Sequence, residues 1–166
     1  MLGDTIWNKL SESALGATIS QSPNVFPWIE TVHVLAIVCV VGTISIVDLR
    51  LVGVAAHVRS IRALSSQLLP VTWGAFAIAV MSGLLLFISK APQYVENPYF
   101  LAKVALIAVA GLNMLFFHFV TGRTADLWDE EGVPPLVPRI GGAISLALWI
   151  GVIFTGRWIG FTLSPF

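Results

Sequence analysis

Four long apolar segments dominate the sequence and limit what it can fold into. They lie at about residues 27–51, 70–89, 98–121 and 138–161. A helix needs about 20 apolar residues to cross a hydrocarbon core of about 30 Å, so each segment is long enough. Each also begins at a proline, which is favourable in the first turn of a helix. The pattern predicts an all-α, polytopic membrane protein, an antiparallel bundle of four transmembrane helices.

The composition agrees with a membrane protein. Hydrophobic residues make up 57% of the chain and charged residues only 11%, whereas soluble domains carry about 25% charged residues. The 9 basic and 9 acidic residues cancel, so no nucleic-acid partner is indicated and lipid is the expected surrounding. The single cysteine, Cys39, excludes an internal disulfide and is interpreted as a packing residue.

The N-terminal segment, residues 1–26, differs from the transmembrane domain, residues 27–166. Residues 4–20 mix apolar and polar side chains in a pattern that predicts a short amphipathic helix at the membrane interface. The segment lacks the basic start and unbroken apolar run of a secretory signal. We therefore expect the first long apolar segment to be retained as a membrane anchor.

Basic residues predict the orientation. The links on one side of the predicted bundle, with the end of the first helix, carry five arginines: Arg50, Arg59, Arg62, Arg123 and Arg139. The opposite side carries Lys9 and Lys90. By the positive-inside rule, the arginine side is cytoplasmic and both termini are periplasmic, in a bacterial inner membrane.

Polar residues from three helices share one depth near the outer surface. At 1.5 Å per residue, Glu30 and His33 lie about 4 Å and 9 Å below the start of the first helix, and Lys103 about 8 Å below Pro98. Arg157 returns to the same outer third on the fourth helix. A charge within a span costs at least about 2.5 kcal/mol, so this level predicts a cofactor or substrate site. The alternative is a structural ion-pair cluster of Glu30 with Lys103 or Arg157.

A second polar layer lies near the cytoplasmic interface. Asp48 and His118 are each about 30 Å along their helices, with Arg50, Arg123 and Arg139 nearby. Side chains near a helix end can reach water, so Asp48 with an arginine is interpreted as an interfacial ion pair. The layer is alternatively a second cofactor site.

Haem b is the cofactor that these residues fit best, because neutral imidazole is a common axial ligand of haem iron. His33 is the first candidate ligand and His118 the second. Their depths differ by about 20 Å, so they cannot share one iron. Lys103 and Arg157 are candidates to bind haem propionates, and Lys103 alternatively to be the sixth ligand. Copper and zinc sites need clustered Met, Cys or His residues, and the sequence has no such cluster.

Several motifs carry a resemblance to a known family. The stretches "PWIETVHVLAIVCVVGTISIVDLRLVG", "NPYFLAK" and "LALWIGVIFTGRWIGF" resemble a family of small uncharacterised bacterial four-helix membrane proteins, over about residues 20 to 162. This resemblance implies the four-helix membrane fold and no particular chemistry.

A more distant similarity is to copper-resistance D-type membrane domains and to the small helical protoporphyrinogen oxidase. The latter is a b-type haem protein with a histidine on its first helix and a lysine starting a later one. That similarity implies haem at His33 with Lys103 nearby. The chain departs from the oxidase at Asp48–Arg50 and its flanks, so we do not extend the enzyme's activity to it.

The resulting hypothesis is a b-type haem protein that transfers electrons to or from quinone or a partner protein. Two alternatives remain open. One is a non-catalytic membrane subunit of a larger complex or a homo-oligomer, in which the polar layers only hold the shape. The other is a small-molecule or metal transporter, which would need a water-accessible path between the layers.

Overall fold

The computed structural model describes residues 2–54, 60–117, 119 and 134–163, with residues 2–5 described by their backbone alone. The regular structure of these residues is helical. Their helices are α1 (Leu2–Ser11), α2 (Ala14–Gln21), α3 (Val25–Val52), α4 (Ile61–Ser89), α5 (Ala91–Glu96), α6 (Pro98–Phe116) and α7 (Leu136–Thr162).

The helices α3, α4, α6 and α7 are long and apolar enough to cross a membrane. Contacts between α3 and α4 join His33 to Ala79 and Thr43 to Thr72, so these helices run antiparallel. The predicted all-helical fold with four membrane-spanning helices is confirmed. The orientation of the termini stays a prediction.

The four long helices pack in the order α4, α3, α7, α6, each against the next. Along the described residues, α4 and α6 are not packed closely on each other and are joined at one end through α5. The only residue that α6 buries fully within the described chain is Ala110. The bundle is therefore least tightly closed between α4 and α6.

Two of the predicted helix starts show how capping decides a boundary. The helix α6 begins at Pro98 as predicted, because the Oδ1 atom of Asn97 accepts hydrogen bonds from the amides of Tyr99 and Phe100 at 2.9 and 3.3 Å. The predicted start of the second long helix at Pro70 is wrong. That helix, α4, begins at Ile61 with Pro70 inside it.

The earlier start of α4 has a local cause. The hydroxyl of Ser60 accepts a hydrogen bond from the amide of Ala63 at 3.2 Å, which caps the helix at that point. The helices α3 and α7 begin two residues before their predicted prolines, so those prolines still occupy first turns. The predicted end of the third span, near residue 121, lies outside the described residues.

The N-terminal segment forms two helices instead of the one predicted over residues 4–20. A break at Glu12 and Ser13 separates them, and the hydroxyl of Ser13 caps α2 by accepting from the amide of Gly16 at 3.2 Å. The ring of Trp7 in α1 contacts the ring of Phe87 edge-on, with 5.7 Å between the ring centroids. The helix α2 packs against α4. The segment therefore covers one end of the bundle.

The helices α3 and α7 approach each other closely at Gly142. A Cβ atom at this position would lie 2.9 Å from Cβ of Leu51 and 3.0 Å from the carbonyl oxygen of Asp48. Contacts this short leave no room for a side chain. Gly142 thus allows the two backbones to cross closely, and the crossing covers the last turns of α3.

Candidate functional site

His33 is held by the backbone and a hydroxyl of the facing helix α4. Its Nδ1 atom lies 2.9 Å from the carbonyl oxygen of Ala79 and 3.0 Å from Oγ of Ser82. Because a carbonyl oxygen only accepts hydrogen bonds, Nδ1 carries the proton of the contact with Ala79. In the neutral ring the lone pair is then on Nε2. This is the tautomer that can bind a metal ion through Nε2.

The imidazole ring lies directly against Gly83. A Cβ atom at Gly83 would be 2.9 Å from Cε1 of His33 and 3.5 Å from Nδ1. The histidine is therefore not only hydrogen-bonded but also packed on the α4 backbone, and this position leaves no space for a larger residue.

The variant Gly83→Ala tests this packing. We expect it to displace the imidazole, weaken its hydrogen bond to Ala79, and lower the free energy of unfolding by about 1–3 kcal/mol through overpacking. Gly74→Ala is the matched control, because a Cβ at Gly74 meets nothing within 4 Å. Thermal unfolding in detergent and the ¹⁵N chemical shifts of His33 measure the two effects. Equal behaviour of the two variants would contradict the described packing.

Lys103 reaches the same level from α6. Its charge lies within electrostatic range of His33, and a Cβ atom at Gly156 of α7 would be 3.5 Å from its Nζ atom. Within the described part of the chain its amino group makes no hydrogen bond or ion pair. An imidazole and an amine thus lie within electrostatic range of each other, and each packs against a glycine of a neighbouring helix.

The other two residues of the predicted outer level lie at its margin. Arg157 is exposed on α7, with its guanidinium 4.8 Å from the ring centroid of Phe161. Glu30 is exposed on α3, and its charge acts on Tyr94 of α5. The described residues contain no ion pair of Glu30 with Lys103 or Arg157, so the alternative ion-pair cluster does not form among them.

The inner layer differs from its prediction. Asp48 and Arg50 are 5% and 2% exposed, so the interpretation of Asp48 as a side chain reaching water at the interface is wrong. The cause is the close crossing at Gly142, which covers this end of α3; Asp48 is hydrogen-bonded to Ser145 of α7. His118, the second candidate iron ligand, lies outside the described residues, as does Arg123.

Sequence reasoning missed the residues of α4 and α7 that hold the site, namely Ala79, Gly83 and Gly156. Ser82 and Gly83 were visible as a polar and a small residue at the depth of His33, and that coincidence could have identified them. The carbonyl of Ala79 could not be found in this way, because any residue supplies one. Gly156 carries no polar side chain and directly precedes the charged Arg157, so the sequence held no signal that would single it out.

An apolar groove adjoins the site on the α3–α4 face. It has a volume of about 340 Å³ and opens to the outside of the bundle. It is lined by Trp28, Ile29, Val32, Ile78, Met81, Ser82 and Leu85. Ser82 lines the groove and also contacts His33. A molecule in the groove would therefore contact a residue that itself contacts the imidazole.

Aromatic rings pack together at the end of the bundle where α5 links α4 to α6. The ring of Phe87 in α4 stacks on the ring of Phe100 in α6, with 5.5 Å between the ring centroids. The ring of Tyr94 packs on that of Phe100 with a centroid distance of 5.2 Å. These contacts join α4 to α6 at the end where the two helices are linked through α5. Burial raises the pKa of Tyr94 to about 12, and the negative charge of Glu30 adds to the shift.

The raised pKa of Tyr94 makes stability depend on alkaline pH. In the unfolded chain tyrosine ionises near pH 10, so between about 10 and 12 the unfolded state loses its proton first and gains stability relative to the folded one. We expect the melting temperature to fall as the pH rises through this range, and Tyr94→Phe to reduce the fall. Thermal unfolding in detergent at neutral and alkaline pH measures it. An identical alkaline loss in the variant would contradict the burial of Tyr94.

The described residues contain no group of three or more His, Cys, Asp or Glu side chains that could hold a metal ion. Among these residues, His33 is therefore not part of a cluster of such side chains. Porphyrin supplies four nitrogen ligands, so one or two protein ligands are enough for haem.

The chain belongs to a family of unknown function, DUF6644, whose model matches residues 12–162. No curated protein and no solved structure matches the chain significantly. The resemblance to an uncharacterised family is thus confirmed, whereas the more distant similarities to the oxidase and to copper-resistance domains stay predictions.

Proposed function

We propose that this protein binds b-type haem in the outer half of its bundle, with His33 as an axial ligand of the iron. The observation that carries the proposal is the hydrogen bond from Nδ1 of His33 to the carbonyl of Ala79. Metal-ligating histidines almost always donate their other ring N–H to a carbonyl, carboxylate or water, which fixes the tautomer and orients the ring. His33 has this arrangement, and it leaves Nε2 as the ligating atom.

Bound haem would supply one-electron redox chemistry, and the protein's part is to hold and tune it. His33 fixes the position of the ligating nitrogen through its contacts with α4. Among the described helices, the bundle is least tightly closed between α4 and α6, and this is where we propose that the haem lies. The rings of Phe87 and Phe100 stack on each other between these two helices. Glu30 borders the site from the exposed side of α3.

Lys103 and Arg157 carry positive charges at the level of His33. Arg157, exposed near the outer end of α7, suits a haem propionate at the interface. Lys103 has no described acidic partner, so it suits either a second propionate or the sixth coordination position of the iron. An amine ligates iron only when it is unprotonated, whereas pairing with a propionate needs the protonated, positively charged amine. The two roles of Lys103 therefore need different protonation states.

Replacing Lys103 by Arg or by Leu distinguishes the two roles. If Lys103 pairs with a propionate, Lys103→Arg should keep the haem content and spin state, because it keeps the charge, whereas Lys103→Leu should lower the haem content. If the amine ligates iron, both variants should lose the low-spin spectrum, because neither side chain can replace the amine as a ligand. Optical and EPR spectra of the purified variants distinguish these outcomes. If both variants kept the wild-type spectra and haem content, both roles of Lys103 would be excluded.

A membrane quinone is the proposed electron partner, with a partner protein as the alternative. The apolar groove supports the quinone, because its volume is within the usual range for small-molecule sites and one of its lining residues, Ser82, contacts His33. We further propose that the protein lies in a bacterial inner membrane with both termini outside, as the arginine distribution predicts.

The test of haem binding is a reduced-minus-oxidised spectrum of the full-length protein purified in detergent. We expect a Soret and an α band of b-type haem, and protohaem in an acid–acetone extract. The absence of both bands, with no porphyrin in the extract, would exclude the proposal. A stoichiometric protein partner and no chromophore would then favour the alternative, a membrane subunit of a larger complex or homo-oligomer, which the exposure of α6 also suits.

The remaining alternative is a transporter for small molecules or metal ions. A transporter would also lack the haem bands. Unlike a membrane subunit, it would move a solute across the membrane of vesicles that contain the purified protein alone. We propose haem ahead of both alternatives because the hydrogen bond from Nδ1 of His33 to the carbonyl of Ala79 has the form that is usual for a metal-ligating histidine.

A further inference from the structure

Asp48 is a buried acidic side chain that the proposed haem site does not use. It lies about 22 Å along α3 from His33, at 1.5 Å per residue, and it is 5% exposed. An ionised carboxylate at this position needs several hydrogen bonds or a positive partner, because burial removes the water that stabilises the charge.

The described surroundings supply little of this stabilisation. Among the described residues, the hydrogen-bond partner of Asp48 is the hydroxyl of Ser145 on α7. Its Oδ2 atom is buried and accepts no hydrogen bond from the described residues. Ser145 is itself 9% exposed, so water does not reach the pair through this side chain.

The charged groups near this end of the described helices are three arginines. Arg50 follows Asp48 by two residues on α3 and so projects about 160° away from it. Arg62 on α4 and Arg139 on α7 are exposed, and α6 has no charged residue at this level. His57, Arg59, His118 and Arg123 lie outside the described residues.

We propose that Asp48 is a proton-binding site within the membrane, and that its Oδ2 atom holds the proton at neutral pH. A proton needs one oxygen, whereas a cation such as Na⁺ or Ca²⁺ takes about six or more oxygen ligands. The described residues offer only the carboxylate of Asp48 and the hydroxyl of Ser145. An acidic residue inside a membrane is also a common mark of proton relays. The proposal does not depend on haem.

Two measurements on the full-length protein in detergent test the proposal. The first is the infrared band of the carboxylic-acid C=O group, which we expect at neutral pH in the wild type and not in Asp48→Asn. Asp48→Asn is a near-isosteric replacement that keeps an acceptor for Ser145, so it is expected to fold. If the band is missing in the wild type, or unchanged in the folded variant, the proposal is wrong.

The second measurement is modification by dicyclohexylcarbodiimide, an apolar reagent that reacts with protonated carboxyl groups. We expect mass spectrometry to find Asp48 modified and the exposed Glu30 unmodified, with the modification lost as the pH is raised. Protection of Asp48 by sodium ions would overturn the proposal in favour of a cation site. An infrared band without modification would still support it, because the band does not require the reagent to reach Asp48.

Discussion

Replacing His33 by alanine should remove haem from the protein, which is the largest effect that we expect from a single side chain. Ala removes the imidazole that we propose as the iron ligand, and the oxygen of Ala79 loses the hydrogen bond from Nδ1 of His33. Haem content per chain, measured by the pyridine haemochrome assay, should fall to a small fraction of the wild-type value. Exogenous imidazole should restore part of the absorption by entering the space that the side chain leaves.

Thr31→Ala is the matched control for this variant. Thr31 is exposed on the same turn of α3, and its hydroxyl bonds only locally, to the carbonyl of Pro27 at 2.8 Å. It should keep full haem content. If His33→Ala remained folded and kept the wild-type haem content and spectrum, His33 would not be the ligand, and a ligand outside the described residues, such as His118, would have to be tested.

The second large effect is expected at the crossing of α3 and α7. Gly142→Ala should lower the free energy of unfolding by about 1–3 kcal/mol, because its Cβ would meet Leu51 and the backbone of Asp48 at 3.0 Å or less. Since one of these contacts is with a backbone oxygen, no side-chain rotation relieves it. Unfolding by denaturing detergent, followed by circular dichroism or tryptophan fluorescence, measures the loss.

The preceding residue provides the control for Gly142. A Cβ atom at Gly141 meets nothing within 4 Å, so Gly141→Ala should leave stability unchanged or raise it slightly, because Ala favours the helix over Gly. A variant Gly142→Ala as stable as Gly141→Ala would contradict the described crossing, and with it the burial of Asp48.

The spans and the depth of polar residues could be predicted from the sequence because both depend on length alone. Apolar length identifies a transmembrane helix, and the rise of 1.5 Å per residue gives the depth of each side chain. This is why His33 and Lys103 could be assigned to one level from the sequence, and in the structure Lys103 lies within electrostatic range of His33.

The direction of each side chain around its helix could not be predicted with the same success. Successive residues differ by 100°, so at the same depth Gly156 faces Lys103 while Arg157 is exposed beside Phe161. Which of the two faces inward depends on how α6 and α7 pack. Similarly, Asp48 is buried because α7 crosses α3 at Gly142, a contact between residues far apart in sequence.

The most direct test of the central claim is an experimental structure of the purified, haem-loaded protein in detergent or a lipid nanodisc. We predict haem density in the outer half of the bundle, with the iron bound to Nε2 of His33 and Nδ1 still donating to the carbonyl of Ala79. Haem bound elsewhere, or Nε2 of His33 hydrogen-bonded to another part of the chain with no haem beside it, would contradict the account.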